Sequence, residues 1–85
     1  MTKVIRFTAS WCGPCRVYKP VFENVASSTP GVVFDTVDVD AEPQIAQAYN
    51  VRSVPTTIVQ VGGRTAAFKT GMINEIELRA LVASV

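Results

Sequence analysis

The chain has 85 residues, 48% of them hydrophobic and 18% charged, with a formal charge of +1. Such a length predicts one domain over residues 1–85, and such a balance excludes a disordered chain. No basic stripe or acidic tail invites nucleic acid or a membrane surface, and no apolar run approaches the roughly 20 residues that cross a bilayer. The start, MTKVIRF, reads straight into a strand and shows no secretory leader.

Lys3 to Thr8 is short and rich in β-formers, so it predicts a strand. A helix is expected from Cys12 to Ser28, with Val17, Val21, Phe22 and Val25 as its apolar face. Pro14 falls in the first turn, where proline is tolerated, whereas Pro20 removes a backbone bond and should kink the helix. After the break at Pro30-Gly31, Val32 to Val39 predicts a second strand, with Val37 and Val39 opposite Thr36 and Asp38. A short helix from Pro43 to Tyr49 should bury Ile45, Ala48 and Tyr49, and Asn50 suits the left-handed residue that ends it. Pro55 to Val61 is the third strand, Gly62-Gly63 a hairpin turn, and Arg64 to Lys69 the returning strand, which Gly71 ends. Asn74 and Glu77 have the spacing of a capping box for a last helix, whose inner face is Leu78, Leu81, Val82 and Val85. The order is β-α-β-α-β-β-α, an α/β class in which the first two strands want a parallel pairing.

The chain has two cysteines and no histidine, and both cysteines lie in Trp11-Cys12-Gly13-Pro14-Cys15. Structural disulfides usually close longer loops and occur several together, so one tight pair reads as catalytic or metal-binding. A tetrahedral zinc site needs four ligands, and the chain has neither a second CxxC nor a histidine. A metal held between two chains, or a plain structural pair, stays open on spacing alone. Disulfide exchange needs two sulfurs able to bond while only one attacks. At a helix start, unpaired N–H groups concentrate positive charge, which favours a Cys12 thiolate and makes Cys12 the predicted nucleophile. Cys15, one turn deeper, is the shielded resolving thiol. Gly13 leaves the approach open and Pro14 stiffens the loop.

These residues resemble the thioredoxin family. The likeness runs through nearly the whole chain and includes WCGPC, Pro20 eight residues after Cys12, Asp40, Val54-Pro55-Thr56, Gly62-Gly63 and Gly71. It implies a thioredoxin fold, a four-stranded mixed sheet of order 2-1-3-4 flanked by three helices, with the family's initial strand and helix missing. It further implies a cis Pro55 facing the cysteines, with the Val54 backbone free to pair with an extended substrate. Trp11, Gly13, Pro14, Val54, Pro55 and Gly71 are then an apolar landing surface around Cys12. The implied activity is reduction of protein disulfides by a cytosolic monomer. Electrons come from NADPH through a thioredoxin reductase, no cofactor or metal is bound, and ribonucleotide reductase is among the family's clients. A second reading is a glutaredoxin-like enzyme recycled by glutathione, although the site lacks the tyrosine of CPYC. A third is a binding subunit that uses the surface without the redox chemistry.

The sequence departs from the family at three positions. Thioredoxins usually bury an aspartate six residues before the first cysteine, where this chain has Arg6, and the lysine often paired with it aligns with Thr36. Arg6 stays protonated and cannot act as a base. Its stem can cover apolar surface while the guanidinium reaches water or Asp38. A sharper expectation places Arg6 beside Cys15, stabilising its thiolate and making the protein more oxidising than its relatives. Thr8 stands where many relatives carry a second tryptophan. With less core than longer relatives, the domain is expected to be less stable.

Overall fold

A computed structural model describes residues 1–85. In chain order the elements are β1 (Thr2–Thr8), α1 (Gly13–Ser27), β2 (Val32–Asp38), α2 (Pro43–Ala48), β3 (Thr56–Val61), β4 (Arg64–Thr70) and α3 (Glu75–Ala83). One sheet of order β2-β1-β3-β4 results, with β1 parallel to β2 and antiparallel to β3, and β3 antiparallel to β4. Architecture and strand order match the sequence expectation.

Strand β1 is central because both its faces are apolar. Val4 points to the side of α1 and α3, where it packs with Tyr18, Phe22, Val25, Val59, Leu78 and Val82. Ile5 and Phe7 point to the other side, onto Val37, Ile58 and Ala46 of α2. A strand covered on both faces reads as a nearly continuous apolar run, and Arg6 is the one break in it. Burying each large side chain contributes about 1.5–3 kcal/mol.

Local signals place the ends. Gly62 and Gly63 have φ of 58° and 81°, the positive pair that a tight hairpin of the right twist requires. Asn50 has φ 58° after α2, as expected. On α3, Asn74 Oδ1 accepts from the Glu77 N–H at 2.8 Å while Glu77 Oε1 accepts from the Asn74 N–H at 3.2 Å, completing the capping box.

The helix faces need three corrections. On α1 the buried positions are Cys15, Tyr18, Phe22 and Val25, and Val17 is 59% exposed. The stripe follows a three-four-three spacing set by Cys15, and Val17 lies one position off it, so Tyr18 takes its place. On α2, Ala46 is buried and Ala48 exposed, while Ile45 and Tyr49 are half-buried at the edge of the same cluster. Val85 lies beyond the end of α3 and is exposed.

Tyr18 carries a buried polar atom into the core, where its Oη lies 2.7 Å from Thr57 Oγ1. Burial pushes the Tyr18 phenol above its ordinary value, against the smaller pull of the Thr57 bond and of Arg6. Replacing Tyr18→Phe leaves Thr57 without its partner and should cost about 1–3 kcal/mol in urea unfolding. An unfolded tyrosine ionises near 10, so the stability Tyr18 supplies is complete below about pH 10 and is lost as pH rises through the higher folded value. The gap between wild type and Tyr18→Phe should therefore narrow in alkali.

Candidate active site

The C-terminal end of β1 and the N-terminal end of β3 meet in the sheet, with Phe7 paired to Thr56. Thr8 pairs with Asp38 at the end of β2, and Thr56 with Thr70 at the end of β4. Register alone thus brings the loops after β1, β2 and β4, and the one before β3, to one end of the sheet. The Gly71 N–H donates to the Pro55 carbonyl at 2.8 Å, which ties two of these loops together.

Cys12 is the N-cap of α1, and it forms a disulfide with Cys15. The Cys15 N–H donates to Cys12 Sγ at 3.2 Å, the bond that a serine or aspartate oxygen makes at most helix starts. Pro14 lies in the first turn and contributes no N–H of its own. A side chain at Gly13 would meet nothing within 4 Å, so the approach there is open. The sequence predicts an open Cys12 above a shielded Cys15. In the disulfide both are covered, Cys12 at 4% and Cys15 at 2% exposure, because Ala9, Val39 and Val54 close around the pair.

Val54 faces the sulfurs. Its carbonyl oxygen lies 3.7 Å from Cys12 Sγ, a pair that can become an S–H···O bond when Cys12 is reduced. Neither its N–H nor its carbonyl has a backbone partner, so the chain presents a short open edge here. The Val54–Pro55 peptide is cis. Pro55 itself is buried, so Val54 and Gly71 supply the surface there. Trp11 is 67% exposed and its Nε1 donates to Asp40 Oδ2 at 2.7 Å. Between Trp11, Val39, Val51 and Val54 lies an apolar depression of about 120 Å³.

Arg6 and Asp38 lie on the wall of one polar cavity and form no ion pair with each other. Arg6 is only 7% exposed, its Nη2 donates to Thr36 Oγ1 at 3.3 Å, and its guanidinium lies 5.4 Å from the centre of the Phe22 ring. Arg6 has this geometry because it faces the α1 side of the sheet, opposite Thr36 in register. Burial lowers its pKa, opposed by the negative charge of Glu23. Arg6 and Cys15 share the wall of a polar cavity of about 260 Å³, together with Ser10, Arg16, Lys19 and Asp38. Asp40 as the tether of Trp11, and Arg16 and Lys19 beside this cavity, were not singled out from sequence. The Asp-Val-Asp run at the end of β2 was the only local signal for the first. No three metal-ligating side chains converge anywhere.

The thioredoxin family profile matches residues 1–84. The chain belongs to the thioredoxin family. A thioredoxin of Mycoplasmoides gallisepticum is 40% identical over 79 residues, 93% of this chain and 79% of that protein. An H-type thioredoxin of Oryza sativa subsp. indica is 49% identical over 63 residues, but these span only 52% of its length. Among solved structures, a mutant thioredoxin from Halobacterium salinarum superposes with a TM-score of 0.93 at 35% identity, covering 98% of this chain and 73% of that one. Family, fold and the Cys12–Cys15 disulfide make this thioredoxin-family chain a thiol–disulfide oxidoreductase.

Trp11 is the single tryptophan. Replacing Asp40→Ala removes its only hydrogen-bond partner, so the fluorescence anisotropy of the indole should fall. The pair is exposed, so the folding free energy should move by no more than about 1 kcal/mol.

Proposed function

We propose that the chain reduces protein disulfides, with Cys12 as nucleophile and Cys15 as resolving thiol. The observation that carries this reading is the bond from the Cys15 N–H to Cys12 Sγ at the front of α1. Donors and partial positive charge at that sulfur favour its anion once the disulfide is opened. The thiolate attacks one client sulfur, a Cys12–client disulfide forms, and the other client sulfur leaves as a thiolate. Cys15 then loses its proton and attacks Cys12 Sγ, which releases the second client thiolate and restores the Cys12–Cys15 disulfide. Two electrons have passed to the client. A thioredoxin reductase drawing on NADPH returns them, in the reducing cytosol, and no cofactor is bound to this chain. The N–H and carbonyl of Val54, neither with a backbone partner, offer an extended client segment a place to lie beside Cys12, with Trp11 and Gly71 at its margins.

Arg6 tunes the pair. It places a cation on the wall that Cys15 shares and supports the Cys15 thiolate, which favours the reduced form and raises the potential. The Arg6→Gln variant should have a higher Cys15 pKa and a more negative potential, by roughly 30 mV for each tenfold loss of thiolate stabilisation. No movement in either quantity would sink the role given to Arg6.

In dithiothreitol-driven insulin reduction, Cys12→Ser should fall to the uncatalysed rate, and Cys15→Ser should accumulate a mixed disulfide visible by mass spectrometry. Turnover with NADPH and thioredoxin reductase, but not with glutathione and its reductase, is the expected donor pattern. The reverse pattern would replace this reading with the glutathione-coupled one.

A further inference from the structure

We propose that the polar cavity behind Cys15 binds a small oxyanion of the phosphate class, and binds it more tightly when the two cysteines form a disulfide. The cavity wall is rich in donors and poor in acceptors. Among the side chains of the wall, Arg6, Arg16 and Lys19 face one carboxylate, Asp38, and Glu23 adds its negative charge near Arg6 from outside the wall. One oxygen of Asp38 is already occupied, because Oδ1 accepts from the N–H groups of Asp40 at 2.9 Å and Ala41 at 3.2 Å. None of the three cations forms an ion pair; the molecule's two salt bridges lie elsewhere, at Lys3–Asp35 and Arg79–Glu75.

Arg6 is the decisive side chain. It is more than nine-tenths buried, it makes one hydrogen bond, to Thr36, and its Nε has no partner. A guanidinium carries five N–H donors in a planar fork that matches an oxyanion, so most of its capacity is unused. Arg16 is held at the same cavity by donation of its Nη2 to the Ser10 carbonyl at 3.0 Å. Ser10 also lines the wall, and its hydroxyl makes no hydrogen bond within the protein. A volume of about 260 Å³ leaves room for one oxyanion and its waters, below the roughly 300–1,000 Å³ of sites for larger ligands.

Cys15 is part of the wall, which makes binding sensitive to redox state. This second arm rests on the reading of Cys12 and Cys15 as the exchanging pair. A disulfide sulfur is neutral, whereas a thiolate puts a negative charge where the anion and Arg6 meet. Linkage makes the effect reciprocal, so a bound anion favours the disulfide and makes the protein more reducing.

The test is a 15N NMR titration of the oxidised protein with sodium phosphate, against sodium chloride at matched ionic strength. Saturable shifts of the Ser10, Cys15, Arg16 and Lys19 amides with phosphate alone are expected. Arg6→Gln should abolish them. If that variant does not fold, Lys19→Gln and Arg16→Gln, both at exposed positions, should each weaken binding severalfold. Shifts that do not saturate, that chloride reproduces, or that survive the Lys19→Gln, Arg16→Gln double change overturn the site. O-phosphoserine as a second probe separates a free ion, if it fails to bind, from a phosphorylated chain, if it binds equally. Repeating the titration on the reduced protein at mildly alkaline pH should give severalfold weaker binding, and equal affinity overturns the coupling. Phosphate binding by a protein inactive in insulin reduction would sink the exchange reading and leave the anion site standing.

Discussion

A sulfur serves as a helix cap in this molecule. Any helix start leaves N–H groups without partners, and a cap must supply an acceptor. Cys12 supplies it, taking the Cys15 N–H at 3.2 Å, so the atom that begins α1 is also an atom of the disulfide. Structure and chemistry are therefore hard to separate at this position: moving the sulfur disturbs the helix, and moving the helix removes the field around the sulfur. Pro14 sharpens the arrangement by contributing no competing donor in the first turn.

The sheet decides what surrounds that cap. Because β1 is covered on both faces, its end is held firmly, and register with β2 and β3 delivers Asp38 and Thr56 to the same level. Alternation along β1 then assigns the faces. Phe7 goes to the α2 side, and Arg6 goes to the α1 side beneath Phe22. An unpaired charge so deep in a protein is expensive unless something compensates it. Here the Phe22 ring, one threonine hydroxyl, the negative charge of Glu23 and an adjoining polar cavity share that compensation, and no carboxylate comes close enough to form an ion pair.

Much of this was readable from residues. The seven elements, their order, the Gly62-Gly63 turn, Asn50 and the capping box all follow from short-range rules, and the structure has them within a residue or two. The sheet order and the cis Val54–Pro55 peptide came from the family likeness and not from periodicity. Two of the helix-face errors share a source. A helix face is set by what it packs against, and neighbouring candidate faces differ by only one or two positions. Val17 and Tyr18 are adjacent and both apolar enough, and only the place of Cys15 on the core side chose Tyr18. Ala46 and Ala48 on α2 were separated by the packing of Ala46 against Ile5, Phe7, Val37 and Ile58. Around Cys15 the family comparison drew attention to Arg6 and Asp38, but Arg16 and Lys19 were missed because the cavity wall comes from three segments and no spacing links them to Arg6. The equal covering of both cysteines was missed because Val39 and Val54, which close over them, arrive from other strands' ends.

The open backbone at Val54 is very short. One N–H and one carbonyl can hold a neighbouring segment by two hydrogen bonds at most, each worth about 0.5–1.5 kcal/mol net. Grip of that strength is fleeting and indifferent to most side-chain identities. On the proposed reading, a client resting there is held chiefly by the covalent sulfur link and is free to leave once that link is cut. On that same reading the surface suits brief encounters with different clients better than a lasting complex with one.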